Sequence, residues 1–349
     1  MKNMKGVTDI KFIFTGDIHL SKYSNDKINS ESNLPERLHD INMVLYQMAN
    51  YAVKNSIENI VISGDIFHNK SIIHSLAMNL FLFFIRSYKN LNFIIIDGNH
   101  DLSGKGADVV SALSCLDSES NVTRISQPTK IDSIMYIPYT YDMIDIIKNN
   151  TGDYLISHFG LNEGVLNSGI SVVSDVKLSD LIGRYGTVLL SHYHKSQEIL
   201  RDDIRLYYVG SLIQLDWGER DDNKRFLVVD TETGEIESIL THGYKKHYEF
   251  SVTVLNREEI LREARQLKEQ GHHINLVKTD NDVIVDDIKN EFNIVDKTIR
   301  DITNRGLTTG MSTEEKLKKY LEIKEISEDQ LNDYLSIGFE IINSCVEEE

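Results

Sequence analysis

The chain has 349 residues, and its 54 acidic and 37 basic side chains give a formal net charge of −17 at pH 7. This balance excludes a broad positive field that would attract DNA or a membrane, so bound metals or a few local cations must hold any phosphate-bearing substrate. The two cysteines, Cys115 and Cys345, form no C-x-x-C pair, which excludes a disulfide framework and fits a reducing cytoplasm. Residues 1–10 lack an apolar signal core, and the apolar run at 76–85 is shorter than the roughly 20 residues of a membrane span.

Up to about residue 185, the predicted elements alternate between strands and helices, which is typical of an α/β fold. Pro35 marks the first turn of a helix with an apolar face, and residues 76–87 and 104–117 are also predicted as helices. From about residue 186 strands dominate, with one at 206–209 and a hairpin over 225–240. We therefore expect strands from both halves to pack together, with helices outside.

A change of composition near residues 244–247 predicts a domain boundary. A strand over 248–255, a helix between Asn256 and Gly271 and another strand at 274–278 then predict a small α/β domain.

The last section begins with capping boxes, in which Ser312 pairs with Glu315 and Ser327 with Gln330. The span 312–349 has 11 acidic and 4 basic residues, a net charge of −7. Its amphipathic helices favour a lid, a docking element for a partner or a solvated terminal face, and these alternatives stay open.

Five short apolar strands are each followed by Asp, Asn or His. They are predicted at residues 11–14, 59–62, 93–96, 154–156 and 188–190. In open α/β sheets, ligands bind beyond the carboxyl ends of strands. Turn chemistry or a core histidine explains any one of these ends, but five ordered repeats favour a shared site.

Asp, Asn and His without a cysteine ligand favour an oxygen and nitrogen site for Mn, Fe or Zn. Two divalent ions that share a carboxylate lower the pKa of a bound water and stabilise an in-line displacement at phosphorus. Such a pair would also keep the pocket cationic inside an acidic protein. Asp101 is open to two interpretations, orienting a neighbouring imidazole or forming a turn.

In this order, Asp17-x-His19, Gly64-Asp65, 98–101, His158 and His192-x-His194 resemble the calcineurin-like metallophosphoesterase superfamily. The stretches 64–68, 209–211 and 217–219 resemble its SbcD-type DNA repair and phage recombination nucleases. The resemblance implies an αββα sandwich over 1–245, a small α/β domain of the DNA-capping type over 246–310, and a C-terminal helical partner-binding segment over 311–349.

The resemblance also implies a site of two divalent ions, Mn²⁺ in our interpretation with Mg²⁺ as the alternative. One ion would be held by Asp17, His19, Asp65 and His194, and the other by Asp65, Asn99, His158 and His192, with Asp65 bridging. His100 would protonate the leaving 3′ oxygen, and His68 would position that oxygen or the substrate. Ser191 and Ser21 stand where the family usually or often has Gly, although neither is a ligand.

Three lysines, Lys22, Lys70 and Lys105, follow motif carboxylates by four or five residues and either meet phosphates or face solvent. Six further histidines are interpreted as ordinary surface or core residues: His39, His74, His242, His247, His272 and His273.

The sequence thus predicts a metal-dependent DNA nuclease, and the resemblance implies 3′→5′ exonuclease activity on duplex ends and endonuclease activity on single strands. By resemblance it acts in DNA repair or recombination as a homodimer, and its helices over 312–345 grip an SMC-like ATPase of the SbcC type. A bacterial or phage-infected cytoplasm is expected, without membrane association. Two alternatives stay open: a phosphodiesterase or phosphatase for a small nucleotide or phosphoprotein, and a non-catalytic scaffold at DNA ends.

Overall fold

The computed structural model describes residues 10–23, 26–70, 72–104, 109–167, 169, 173–201, 203–280, 282–298, 311–323, 330 and 333–338. The chain divides into two compact units, residues 1–249 with 262–275 and residues 250–261 with 276–349. The first unit contains two six-stranded sheets.

The first sheet has the order β14-β13-β1-β2-β3-β6. Its strands are β1 Lys11–Thr15, β2 Asn59–Ser63, β3 Asn92–Ile96, β6 Val122–Ile125, β13 Arg225–Asp230 and β14 Ile236–Leu240. Strands β1, β2, β3 and β6 are parallel, and the helices α1 (Glu36–Lys54) and α2 (Ser75–Ser87) connect the first three. Parallel strands end at one edge of the sheet, so the loops that follow β1, β2 and β3 lie side by side.

The second sheet has the order β11-β12-β10-β9-β8-β7. Its strands are β7 Thr129–Ile131, β8 Ile134–Ile137, β9 Gly152–His158, β10 Tyr185–Ser191, β11 Gln197–Arg201 and β12 Ile204–Tyr208. Strands β8, β9, β10 and β12 are parallel. Helices α3 (Met143–Asn149) and α4 (Leu178–Leu181) belong to the same half.

Alternating side chains build three apolar layers in this unit. Phe12 and Phe14 pack with Ile156 between the sheets, whereas Ile13 packs in the layer that contains the buried faces of α1 and α2. Leu155 packs in the layer that contains α3 and α4. Successive strand residues face opposite sides of a sheet, so each sheet buries one face against the other sheet and one against helices. The predicted αββα sandwich is confirmed.

The predicted helix over 104–117 is confirmed in part. Among its described residues, Val110–Ser111 forms a short strand, β5, that pairs antiparallel with β4 (Leu102–Ser103), whereas Ala112–Ser118 is helical, as a 3-10 helix. Leu113 and Leu116 are its buried residues, and their three-residue spacing places both on one face of a 3-10 helix.

The remaining strands form a three-stranded sheet in the order β15-β16-β17. They are β15 His247–Val252, β16 His273–Lys278 and β17 Asn293–Asp296, with α5 (Arg257–Glu269) between the first two. The predicted strand–helix–strand pattern over 248–278 is confirmed.

Helix α6 (Thr313–Ile323) begins with the predicted capping box. The Ser312 N–H donates to Glu315 Oε2 at 2.7 Å, and the Glu315 N–H donates to Ser312 Oγ at 3.2 Å. The second predicted box, Ser327 with Gln330, lies outside the described residues. Within the described part of the chain, every helix is too short or too polar to cross a membrane.

Candidate metal centre

The loops after β1 and β2 are held together by their backbones. Asp17 and His19 follow β1, and Asp65 follows β2. All three have positive φ angles, of 48°, 52° and 52°, which cost free energy in a residue with a side chain and cluster at functional sites. Two hydrogen bonds fix the loops in this form: the Asp17 N–H donates to Gly64 O at 3.2 Å, and the His19 N–H donates to Asp65 O at 2.9 Å.

The loops after β2 and β3 approach so closely that two positions must be glycine. A Cβ on Gly64 would lie 2.4 Å from Gly98 N, and a Cβ on Gly98 would lie 2.3 Å from Asp65 Oδ1. Buried Asp101 completes this contact, because its carboxylate accepts the N–H groups of Asp65 at 2.7 Å, Ile66 at 3.0 Å and Gly98 at 2.9 Å. Asp101 therefore braces two loops.

Three histidines at strand ends of the second sheet lie beside the loops that carry Asp17 and Asp65. His158 ends β9, and His192 and His194 follow β10. The His192 N–H donates to Asp17 Oδ2 at 2.8 Å, which ties the two sheets together. His158 Nδ1 lies 2.7 Å from Ser63 O, so Nδ1 carries the hydrogen and Nε2 is the nitrogen left for the site.

One group of ligand atoms forms around His19. His19 Nε2 lies 3.0 Å from His194 Nε2, and a carboxylate oxygen of Asp17 lies within 4.8 Å of both histidines. Nitrogens that face each other at this distance, beside a buried carboxylate, are arranged as the ligands of one cation.

A second group forms around Asn99. Its Oδ1 lies 2.9 Å from His158 Nε2 and 3.0 Å from His192 Nδ1. One oxygen and two nitrogens thus converge on a single point.

Asp65 lies between the two groups. Its Oδ2 is 3.6 Å from His19 Nε2 and 3.4 Å from His158 Nε2, and its Oδ1 accepts the His100 N–H at 2.8 Å. Burial acts to raise the pKa of Asp65, but His158 and His19 beside it lower that pKa well below its usual range. An ionised carboxylate in reach of both groups is the arrangement that a shared ligand requires, so this donor set fits a pair of divalent cations.

Burial keeps two of the four ligand-type imidazoles of this site neutral. Burial lowers the pKa of His19 well below its usual value and that of His192 to about 3, so both are neutral at pH 7, the form that binds metal. For His158, burial acts to lower the pKa, but Asp65 raises it to about 9. A cation bound at this side chain must therefore displace a proton.

The sequence profile described as calcineurin-like phosphoesterase matches residues 10–205, which is more than half of the chain. The chain belongs to the calcineurin-like phosphoesterase family. The predicted superfamily is thus confirmed, and the family supports a metal-dependent phosphoesterase.

Among curated proteins, exonuclease subunit 1 of Enterobacteria phage T4 is 26% identical to this phosphoesterase over 219 residues, 58% of this chain and 63% of that protein. The match thus covers less than two thirds of the relative. Among solved structures, an archaeal phosphodiesterase has 16% identity and a TM-score of 0.35, covering 66% of this chain and 99% of its own. A dimetal phosphatase from Danio rerio has 9% identity and a TM-score of 0.39, covering 67% and 99%.

A residue that our sequence reasoning missed orients one histidine of the phosphoesterase site. His194 Nδ1 lies 2.8 Å from Glu219 Oε1, and Glu219 Oε2 accepts from Lys224 Nζ at 2.7 Å and from Ser211 Oγ at 2.8 Å. Burial acts to raise the pKa of Glu219, but His194 and Lys224 lower it to about 2. The ionised carboxylate holds the hydrogen of His194 on Nδ1, so Nε2 faces His19. Glu219 lies in the stretch 217–219 that carried the resemblance, and only the fold shows its contact with His194.

His68 and His100 lie on the other side of His19. His68 Nδ1 is 3.3 Å from His19 Nδ1, so a His19 that binds metal through Nε2 donates its Nδ1 hydrogen to His68. His100 Nδ1 donates to the His68 carbonyl oxygen, and the two rings stack with centroids 5.5 Å apart. The ring of His100 lies 5.0 Å from that of His19. These contacts leave Nε2 as the nitrogen of His100 that is available for proton transfer.

Of the three lysines selected from the sequence, the two that the structure describes are not bonded to the ligand-type side chains of the site. Lys22 and Lys70 are exposed, and no hydrogen bond or ion pair joins them to a described site residue. Lys105 lies outside the described residues.

The two serines at the family's glycine positions are buried. The Ser191 hydroxyl contacts that of Ser63, beneath Gly16, where a Cβ would overlap it. Ser21 Oγ accepts from Asn69 Nδ2 at 3.3 Å. Both hydroxyls are engaged with their neighbours and leave the ligand atoms in place.

Proposed function

We propose that this phosphoesterase is a DNA nuclease, with 3′→5′ exonuclease activity on duplex ends and endonuclease activity on single strands. One observation carries the proposal. Seven ligand-type side chains, from strand ends of both sheets, converge with their lone pairs facing one another, and His100 lies beside them. The similarity to a protein named exonuclease subunit 1 favours DNA as the substrate.

The ligands are proposed as two overlapping sets. The first is Asp17, His19, Asp65 and His194, and the second is Asp65, Asn99, His158 and His192. Mn²⁺ is the proposed cation, with Mg²⁺ as the alternative. A pair of divalent cations would supply a nucleophile at neutral pH and stabilise the charge that develops at phosphorus.

The proposed acid is His100. Its Nδ1 hydrogen is held by the His68 carbonyl, so Nε2 is the nitrogen through which a proton can pass to a leaving 3′ oxygen. His68 has a supporting role, because it accepts from His19 Nδ1 and thereby fixes the tautomer that faces the metal. Burial lowers the pKa of His68, which keeps its accepting nitrogen unprotonated at neutral pH.

The experiment compares three substrates with the full chain and Mn²⁺: linear duplex DNA, a single-stranded DNA circle and bis-p-nitrophenyl phosphate. His100→Asn is the test variant. His74→Asn is the matched control, because His74 caps α2 and Asn is also a good N-cap.

DNA cleavage that His100→Asn loses and His74→Asn keeps supports the nuclease. Activity on the small diester alone would identify a small-molecule phosphodiesterase, and no activity on any substrate would favour a scaffold at DNA ends.

The remaining assignments concern partners. We assign 1–245 to the nuclease domain, 246–310 to the DNA-capping role and 311–349 to gripping an SMC-like ATPase of the SbcC type, in a cytoplasmic homodimer that acts in repair or recombination. A pull-down with residues 312–349 deleted tests whether this segment binds the ATPase, and retained binding would contradict that assignment. Light scattering of the full chain tests the dimer.

The three lysines, Lys22, Lys70 and Lys105, are proposed to contact DNA phosphates. Replacing all three by Gln should flatten the dependence of DNA binding on salt, because fewer counterions are then released. An unchanged slope would contradict the assignment.

A further inference from the structure

A cavity of about 350 Å³ lies near His68 but is not lined by any proposed metal ligand. Its volume falls within the roughly 300–1,000 Å³ that is common for small-ligand sites. We call it the Trp217 pocket and define it by six lining residues, Lys27, Arg37, Trp217, Lys245, His247 and His273. All six belong to the first compact unit.

Two residues that line the Trp217 pocket each have a buried polar atom without a partner. These atoms are Arg37 Nε and His247 Nδ1, and neither has a hydrogen bond within the described part of the chain. Nor does any described carboxylate lie within ion-pair distance of Arg37. Buried polar groups in native structures are nearly always satisfied, so unpaired donors that line a cavity call for an external acceptor.

Three acids, Asp26, Glu36 and Asp40, also line the pocket, but none of them pairs with Arg37. Asp26 accepts the Tyr23 N–H at 3.1 Å, Glu36 forms an ion pair with Lys245, and Asp40 accepts the Lys245 N–H at 2.9 Å. Each acidic side chain therefore has another partner, and none of them forms an ion pair with Arg37 among the described residues.

Aromatic rings fix the direction in which the donors point. The Arg37 guanidinium lies 4.8 Å over the Tyr23 ring, which covers its face and leaves its N–H edge for a ligand. Such an edge matches the oxygens of a phosphate. His247 is held between Trp217 and His273, with ring centroids 4.8 Å away on each side.

His247 is neutral at pH 7, because burial lowers its pKa to about 4. One of its two nitrogens then carries a hydrogen, and Nδ1 can donate it.

The Tyr23 ring also links the pocket to the metal centre. Its centroid lies 5.8 Å from that of His68, so Arg37, Tyr23 and His68 form a row that leads from the pocket to the proposed acid side of the site. A DNA strand that reaches the metals along this row would bring a neighbouring phosphate to Arg37.

We propose that the Trp217 pocket binds a backbone phosphate of the DNA strand next to the one that is cleaved. Arg37 contacts the phosphate with its N–H edge, and His247 Nδ1 donates a further hydrogen bond. This rests on the proposed nuclease function. The same donors would also bind a free phosphate ion, and the test below distinguishes a DNA phosphate from a free one.

The first test needs no metal and no turnover. Trp217 is the only tryptophan in the chain, so its fluorescence reports on the pocket. The full chain in EDTA is titrated with a single-stranded pentanucleotide and, separately, with inorganic phosphate, as wild type, Arg37→Gln and Arg201→Gln. Arg201 is an exposed arginine on β11 and serves as the matched control.

We expect the pentanucleotide to change the fluorescence saturably, with an affinity that falls about tenfold in Arg37→Gln, because the variant loses a charge-assisted hydrogen bond to the phosphate. Arg201→Gln should match the wild type. Equal affinities of the wild type and Arg37→Gln, each with intact circular dichroism, would overturn the proposal. Inorganic phosphate that binds as tightly as the pentanucleotide would also overturn it, in favour of a free-ion site.

The second test separates the pocket from the reaction. With Mn²⁺, the ratio of kcat/KM for the pentanucleotide to that for bis-p-nitrophenyl phosphate should fall about tenfold in Arg37→Gln, because the small diester has no second phosphate. The ratio for Arg37→Lys should lie between those of the wild type and Arg37→Gln, since lysine keeps the positive charge but not the planar fork of N–H donors. An unchanged ratio contradicts the pocket and leaves the nuclease standing. If no DNA is cleaved at all, the proposed function fails, and the fluorescence titration still decides the pocket.

Discussion

The two halves of the candidate metal centre are held in different ways. In the first-sheet half (Asp17, His19, Asp65 and Asn99), neighbouring loops are joined by backbone hydrogen bonds. The Asp101 side chain also joins two of these loops, because it accepts backbone N–H groups from both. In the second-sheet half (His158, His192 and His194), the imidazoles are oriented by groups from elsewhere in the chain, such as Ser63 O and Glu219.

The halves also differ in charge, and this difference explains their chemistry. The ligand-type carboxylates, Asp17 and Asp65, both follow strands of the first sheet, and the imidazoles of the second sheet face them. Asp65 raises the pKa of His158 to about 9, and His158 in turn lowers the pKa of Asp65. Each half thus stabilises the charge of the other until a cation replaces the proton.

The largest effect is expected where the halves meet. Asp65→Asn keeps the acceptor for the His100 N–H but removes the charge shared by both ligand groups. Activity with Mn²⁺ should fall by about 1,000-fold or more. This loss exceeds the roughly 10–100-fold that is typical when a residue that only hydrogen-bonds a metal ligand is replaced. Equilibrium dialysis should show fewer than two bound ions per chain. Asp153→Asn, at the exposed start of β9, is the control, and two ions with full activity in Asp65→Asn would contradict the bridging role.

The next effect tests the brace of the first-sheet half. Asp101→Asn replaces a carboxylate oxygen by an NH₂ group, so at least one buried backbone N–H loses its acceptor. The free energy of unfolding should drop by about 2–3 kcal/mol, measured by urea denaturation. Asp117→Asn should change it by less than about 1 kcal/mol, because the ion pair of Asp117 with Arg124 is half exposed and exposed ion pairs stabilise little. Equal losses in the two variants would show that Asp101 is not a brace.

The same contrast explains what the sequence could predict. The strand–turn motifs of the first-sheet half are local, so periodicity and residue type place Asp17, Asp65 and Asn99 at strand ends before any fold is known. The support of His194 depends on a contact 25 residues along the chain, which no local pattern contains. Val110 and Ser111 were predicted as part of a helix but form β5, because the pairing of β4 with β5 is a tertiary contact that local spacing does not show.

The support of the second-sheet half is tested by Glu219→Gln. The amide leaves Lys224 without its closest anion and no longer fixes the tautomer of His194, so Mn²⁺-dependent activity should fall by roughly 10–100-fold. The double variant Glu219→Gln, Lys224→Met should regain stability but not activity, because it removes the unpaired buried charge and not the tautomer defect. Activity within twofold of wild type in Glu219→Gln would contradict the orienting role.

The pH dependence of stability tests the same carboxylate. The pKa of Glu219 is about 2 in the folded chain against an ordinary value of 4.5, so its ionised form stabilises the fold above about pH 4.5. That contribution is lost as the pH falls from 4.5 towards 2. The stability difference between wild type and Glu219→Gln should shrink over this interval in urea titrations. A difference that stays constant would place the stabilisation elsewhere.

The smallest effect is expected from Ser191→Gly, which restores the residue usual in the family between the two halves. The change removes the contact with the Ser63 hydroxyl and adds backbone freedom inside β10, so stability should fall by about 1–2 kcal/mol. Activity should stay within about twofold, because Ser63 and the Ser191 backbone still hold the strands. A double-mutant cycle with Ser63→Ala should give a coupling of at least about 0.5 kcal/mol. A tenfold loss of activity would instead mean that Ser191 sets the position of His192, and the second-sheet half would then depend on its own backbone as the first half does.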